Sequence, residues 1–247
     1  NKSAEKIPRT KVRTIFLHII FTSADLSVSH FKCDTCLNSW HIHRLTINHG
    51  IWLSNKDILL LGEHGCSVTH NPLSNLKLGS GVCPIRELLD AGANLAIGTD
   101  GTSTSDTADF MAALRLTGLL HKIGDPDFTQ WLSAEEAFRL ATQGGARSIL
   151  QQEDIGTLEV GKKADVILVD RNAWSFLPLN HVERQIVFSG SSESVRTSII
   201  NGRVMMRDRR LIGVDETALK DEVREAAERF RDRHWPNKGT DGCVGAA

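Results

Sequence analysis

The stretch Asn94 to Ser105, NLAIGTDGTSTS, decides how the rest of the chain is read. Leu95-Ala96-Ile97 has the composition of a short buried strand; it runs through Gly98 and Thr99 and ends on a carboxylate, Asp100. A strand that delivers one acid at its C-terminal end, before Gly101 frees the backbone to turn, is how α/β barrels place a reactive group. The competing reading is a turn aspartate that caps the helix after it.

Working back from Asp100, the same unit recurs. Leu45-Thr46-Ile47-Asn48 reads as a strand ending at His49-Gly50, and Ser54 then caps a helix with Ile58, Leu59 and Leu61 at helical spacing, stopped near Gly65. Cys66 to Thr69 is the next strand and empties into His70-Asn71-Pro72. A polar, glycine-marked loop, LSNLKLGSG, follows, and Pro84 opens the helix PIRELLDAG. Strand, helix, strand, helix, strand at this spacing implies an α/β fold with a parallel sheet and right-handed crossovers. Each strand ends in polar residues on one edge: His49, then His70 and Asn71, then Asp100. A single histidine there would be read as structural, but polar ends in successive units point to a site.

Beyond Asp100 the pattern predicts helices over Asp106 to His121 and Ser133 to Leu150, the second opened by a capping box of Ser133 and Glu136. Met111, Leu114 and Leu119, and then Ala137, Leu140 and Ala141, read as core-facing stripes. At Gly156 the character becomes all-β. GTLEVGKKADVILVD leads into a buried strand over Ala164 to Val169, with further strands at Gln185 to Phe188, Val195 to Ile200 and Arg203 to Arg207 and a hairpin turn at Asn201-Gly202. Glu216 to Arg233 reads as a solvated, charge-paired helix, and the tail from Pro236 as frayed. Upstream, IFLHIIF (Ile15 to Phe21) is a candidate strand. His30, Cys33, Cys36, His41 and His43 invite a zinc reading, but the Cys36–His41 gap is too short for a finger, which favours unliganded surface residues.

The 247 residues are 40% hydrophobic and 24% charged, ordinary values for a globular protein, and the net charge of −1 gives no general electrostatic reason to expect nucleic acid or an anionic membrane as partner. The absence of a membrane-length apolar run or a clear secretory signal leads to an expectation of a cytoplasmic protein. Five scattered cysteines suggest reduced thiols over a disulfide framework. The chain begins at Asn1 and not at methionine, from which we expect a fragment.

The run from Asn48 to Gly101, together with GTLEVGKKADVILVD and IINGRV, resembles the metal-dependent amidohydrolase superfamily over residues 44 to 211. The likeness is to its aminohydrolase and chlorohydrolase branch, which includes cytosine, guanine and S-adenosylhomocysteine deaminases and triazine hydrolases. The resemblance implies the C-terminal part of a (β/α)8 TIM-type barrel followed by part of a small β-sandwich. Residues 1–43 would be a remnant around the fifth strand, 44–152 the last βα units of the barrel, 153–211 the β-sandwich segment, and 212–247 a C-terminal helix and tail.

By the same resemblance, Asp100 binds one divalent metal ion, zinc or iron, and takes a proton from its water. His49 orients that water or polarises the ring atom under attack, while His70, Asn71, Ser74 and Asn75 line the pocket of a small heterocyclic substrate. The chemistry suits these residue types: a divalent cation brings the pKa of bound water near neutrality, and a carboxylate beside it can carry the proton onward.

The family's first-strand H-x-H pair is absent from the chain. Counting back from His49 places His18 at the fifth strand but puts Ile20 and Ser23 where a ligand and an acid belong, and His41-x-His43 lies too near His49 to replace the first strand. Two expectations follow. One is a hydrolase of C–N or C–Cl bonds represented by its C-terminal portion; the other is a truncated, inactive module with a binding or structural role. An open parallel-sheet edge in either case predicts self-association, giving a homo-oligomer.

Overall fold

The computed structural model describes residues 16–17 and 45–235. His18, His30, Cys33, Cys36, His41, His43 and the tail from Pro236 lie outside the described residues, so the zinc reading is not addressed by them.

Four strands form a parallel sheet in sequence order: β1 (Phe16–Leu17), β2 (Thr46–Asn48), β3 (Ser67–His70) and β4 (Asn94–Ile97). The register pairs Thr46 with Ser67 and Ser67 with Asn94, so the strands finish level with one another. Between them run α1 (Asn55–Glu63), then α2 (Pro72–Lys77) and α3 (Ile85–Asp90). Ser54 caps α1 in a reciprocal capping box with Asp57, as its place before the apolar stripe requires.

The core is made of Val68, Leu95, Leu88, Ile85 and Leu114, all essentially buried, with Ala137, Leu140 and Val187 against them. Burying each large side chain stabilises the fold by about 1.5–3 kcal/mol. Layers approach closely where glycine allows it. A Cβ on Gly144 would stand 1.9 Å from the Leu95 carbonyl oxygen, and Asn94 Nδ2 donates to the Gly144 carbonyl at 3.1 Å, clamping that segment onto β4.

Several expectations are corrected. The stretch after Pro72 opens as a helix, α2, with proline at its first position; its buried residues are Pro72, Ser74 and Asn75, and such a polar buried face leaves no apolar stripe to read. The helix expected over Asp106 to His121 begins four residues later, at Phe110, and is preceded by a separate short helix. A short α4 (Thr102–Ser105) ends at Asp106, which sits left-handed at φ 59°, and α5 (Phe110–Leu120) starts afresh from the Asp109 cap. The helix expected over Ser133 to Leu150 is α6 (Ala134–Arg139), a π-helical segment (Leu140–Gly144) and α7 (Gly145–Ser148), the widened turn coinciding with the Gly144 clamp. Leu59 and Leu119 face outward and not into the core.

The remainder carries an antiparallel sheet of β5 (Val166–Val169), β6 (Val195–Ile200), β7 (Arg203–Arg207) and β8 (Arg210–Leu211) in meander order. The turn at Asn201-Gly202 is present, with both residues left-handed. The strand expected as buried, β5, is half-exposed. The strand expected at Gln185 to Phe188 is instead helix α8 (Val182–Phe188), so the segment is not all-β. Its Val187 and Phe188 pack on Gly118 of α5, a tertiary contact that overrides the β propensity of a short apolar run. The chain continues into α9 (Glu216–His234). Among the described residues, no helix is long and apolar enough to cross a membrane.

Candidate active site

The C-terminal ends of β2, β3 and β4 converge on one edge of the parallel sheet. His49 follows β2 in a left-handed conformation, φ 71°, held there by its N–H donating to the Thr69 carbonyl at 2.8 Å. Its Nδ1 meets Asn75 Oδ1 at 2.8 Å, so in the neutral ring Nδ1–H donates and Nε2 carries the lone pair. That nitrogen stands 3.9 Å from Asp100 Oδ2.

Asp100 is itself left-handed, φ 58°, a strained setting for a non-glycine residue at a strand end. Partial burial pushes its carboxyl upward. The opposing effects prevail: Gly101 N–H donates to Oδ1 at 2.7 Å, and the nearby hydroxyls of Ser74 and Thr104 and the imidazole of His49 favour the charged form, holding the group below the usual carboxylate range. Asp100 is therefore an anion at neutral pH, with Oδ2 turned toward His49.

The other expected site residues lie just beneath. Asn75 and Ser74 are buried on α2, and Ser74 Oγ donates to the Asn71 carbonyl at 3.3 Å. Asn71 is buried below Gly98, where a Cβ would come within 2.2 Å of Asn71 Oδ1. The Gly98 between β4 and Asp100 is thus demanded by its neighbour. His70 is placed differently from the rest. It is fully buried at the end of β3, with neither ring nitrogen hydrogen-bonded and its ring centroid 5.5 Å from that of His121. Burial, followed by the nearby His121 and His49, pulls its pKa down to about 3.

His121 is a residue that sequence reasoning passed over. It sits at the C-terminal end of α5, and nothing in a single histidine closing a helix marks it as a neighbour of β3. Burial also lowers its pKa. It lines a cavity of about 730 Å³ together with Cys83, Glu87 and Asp125. The buried Cys83 thiol is pushed up to about 12, by burial first and Glu87 second, and so remains protonated.

As a metal site, Nε2 of His49 and Oδ2 of Asp100, 3.9 Å apart, offer one nitrogen and one oxygen ligand. Zinc takes three or four protein ligands. Among the described residues no group of three or more His, Cys, Asp or Glu side chains is placed to hold a metal ion. Asp100 and His49 alone therefore do not make a complete zinc site.

A level parallel sheet with imidazole, amide and carboxylate gathered at its C-terminal edge is an α/β scaffold with its candidate site at the strand ends. The amidohydrolase family model matches residues 33–205. The chain belongs to that family, in its aminohydrolase and chlorohydrolase branch. It is 41% identical over 165 residues to a 5-methylthioadenosine/S-adenosylhomocysteine deaminase of Thermococcus onnurineus, a match covering 67% of this chain and 38% of that protein.

Among solved structures, a zinc-bound adenosine deaminase from Xanthomonas campestris superposes with a TM-score of 0.74 at 39% identity, over 76% of this chain and 43% of that one. Atrazine chlorohydrolase from Arthrobacter aurescens, complexed with zinc, gives 0.71 at 28% identity, over 75% and 41%. In these matches the chain covers half or less of the length of its relatives.

Proposed function

We propose that this chain corresponds to the C-terminal portion of a metal-dependent hydrolase that cleaves a carbon–nitrogen or carbon–chlorine bond on a nitrogen heterocycle. The observation that carries the reading is the approach of His49 to Asp100, from strands separated by β3, with Asn75 fixing the imidazole. On this reading β1 to β4 are the last strands of a (β/α)8 barrel, within residues 44–152 apart from β1. The antiparallel sheet within 153–211 is part of a β-sandwich, and 212–247 is an appended helix and tail.

The metal is zinc or iron, and when bound it supplies a water acidified to near neutrality. Asp100 would hold it through its carboxylate, which Gly101 N–H steadies at Oδ1. The carboxylate accepts the proton released at the site and passes it toward the leaving group. His49, kept in one tautomer by Asn75, accepts at Nε2 and orients the attacking oxygen or a ring nitrogen. Asn71 and Ser74 shape the floor, and His70 closes it from below. Adenosine derivatives and triazines, the compounds in the relatives' names, set the substrate class to screen.

The test is metal analysis of chain purified without chelator, alongside Asp100→Ala and His49→Asn, with ultraviolet assays of adenosine-type deamination and chloride release from triazines. Roughly one metal per chain, lost in Asp100→Ala and kept in His49→Asn with activity reduced, is the expected result. Metal binding that survives Asp100→Ala would overturn the assignment.

The shortfall of ligands among the described residues favours a second reading, a catalytically inactive module of the family with a binding or structural role. Absence of both metal and turnover in the unmodified chain would select it.

A further inference from the structure

The function proposed above leaves α9 unused. This helix, Glu216–His234, has no buried residue, and only Glu216 and Arg231 are half-buried. Asp215 caps it by accepting from the Thr217 and Ala218 amides at 3.0 Å, and Glu216 Oε1 accepts the Leu211 N–H at 2.8 Å, so its base is fixed to the antiparallel sheet. Its apolar side chains are not scattered. Leu219, Val223, Ala226 and Phe230 follow one another at intervals of four, three and four, which at 100° per residue puts them within an arc of about 60°. That is the narrow seam of a coiled coil, with positions d, a, d and a, and Leu219, Val223 and Phe230 are all exposed.

The charges say what covers the seam. The N-terminal half is net negative, with Glu216, Asp221, Glu222 and Glu225 outnumbering Lys220 and Arg224, and the C-terminal half is net positive, with Arg229, Arg231 and Arg233 outnumbering Glu228 and Asp232. When two copies of the seam are laid antiparallel so that Leu219 faces Phe230 and Val223 faces Ala226, the register is symmetric about a two-fold axis. The g position before Val223 is Glu222, and the g position of the second copy that falls beside it is Arg229. The same pair forms again across the axis. In a parallel pairing Glu222 would instead fall beside Ala227, with no charge to meet.

We propose that α9 is a self-docking element through which two copies of this chain pair by antiparallel coiled-coil packing, with Leu219, Val223, Ala226 and Phe230 in the seam and Glu222 beside Arg229 of the second copy. A pairing of one helix from each copy gives a reversible dimer. Arg229 currently lies 3.5 Å from Glu225 on its own helix, both side chains largely exposed, and can turn to the new partner at little cost.

The test is sedimentation equilibrium of the full chain over a concentration series, with circular dichroism to verify folding of each variant. Unmodified chain dimerises as concentration rises, and Phe230→Glu weakens the association at least about tenfold, since it puts a charge in each outer layer of the seam. Glu222→Arg alone and Arg229→Glu alone each weaken it by placing like charges together. An equimolar mixture of those two variants restores it, because each then meets its complement in the other. A chain that stays monomeric, an association indifferent to Phe230→Glu, or single charge variants whose mixture associates no better than either alone, would each overturn the proposal.

Discussion

Among the described residues the two sheets have four strands each and use them in opposite ways. In the parallel sheet Val68, Leu95 and Ala96 are buried, and helices or the clamped π-helical segment close over them. In the antiparallel sheet Ile167 and Leu168 remain about half-exposed, at 51% and 52%. A sheet covered on both faces admits polar side chains chiefly where it ends, so a histidine or aspartate there is informative. A sheet with a wet face scatters polar residues along its strands, and their positions say little about function.

This contrast can be broken by unfolding measurements. Leu88→Ala, in the packing under the parallel sheet, is expected to cost about 3 kcal/mol in urea denaturation, whereas Ile167→Ala on β5 costs less than about 0.5 kcal/mol. Similar losses at the two positions would show that the antiparallel sheet is as closely packed as the parallel one.

Acid sharpens the comparison. The folded His70 pKa of about 3 lies below the ordinary 6.5, so the unfolded chain binds a proton that the folded one refuses. The stability this preserves is complete above pH 6.5 and is lost as pH falls from there toward 3. The slope approaches ~1.4 kcal/mol per pH unit. Urea unfolding between pH 7 and 4 is expected to show that slope in the unmodified chain and a shallower one in His70→Asn. An unchanged slope in the variant would place the acid sensitivity elsewhere. Asp100, whose pKa is lowered, works over a more acidic window: its contribution is present above the ordinary carboxylate value of 3.8 and is lost below it.

A local effect is expected at a helix start. Ser133→Ala removes the capping box that opens α6, where the Glu136 amide donates to Ser133 Oγ at 3.1 Å and Ser133 N–H to the Glu136 carboxylate at 2.8 Å. The cost is about 1 kcal/mol. A change indistinguishable from zero would mean that the Arg86 contact to Glu136, at 3.1 Å, holds the turn unaided.

Legibility followed the same division. The strands before His49, before Asn71 and before Asp100 could be read because local composition and turn residues agree with the tertiary outcome there. The helix α2 could not, because Ser74 and Asn75 are buried as polar side chains bonded to the site and supply no hydrophobic period. Gln185 to Phe188 misled for the converse reason. Its apolar run suits a strand, and only the packing of Val187 and Phe188 against Gly118 makes it a helix.

By itself, then, the sequence determined the parallel βα order, the caps at Ser54 and Ser133, the hairpin at Asn201-Gly202, and which residues stand at the strand ends, since these depend on neighbours within a turn or two. Tertiary structure alone decided that His49 and Asp100 face one another, that Asn75 fixes the imidazole, that Gly98 makes room for Asn71, and that His70 is buried beside His121. Those relations join residues tens of positions apart. The distances between such residues are set by sheet register and helix packing, which no local pattern encodes.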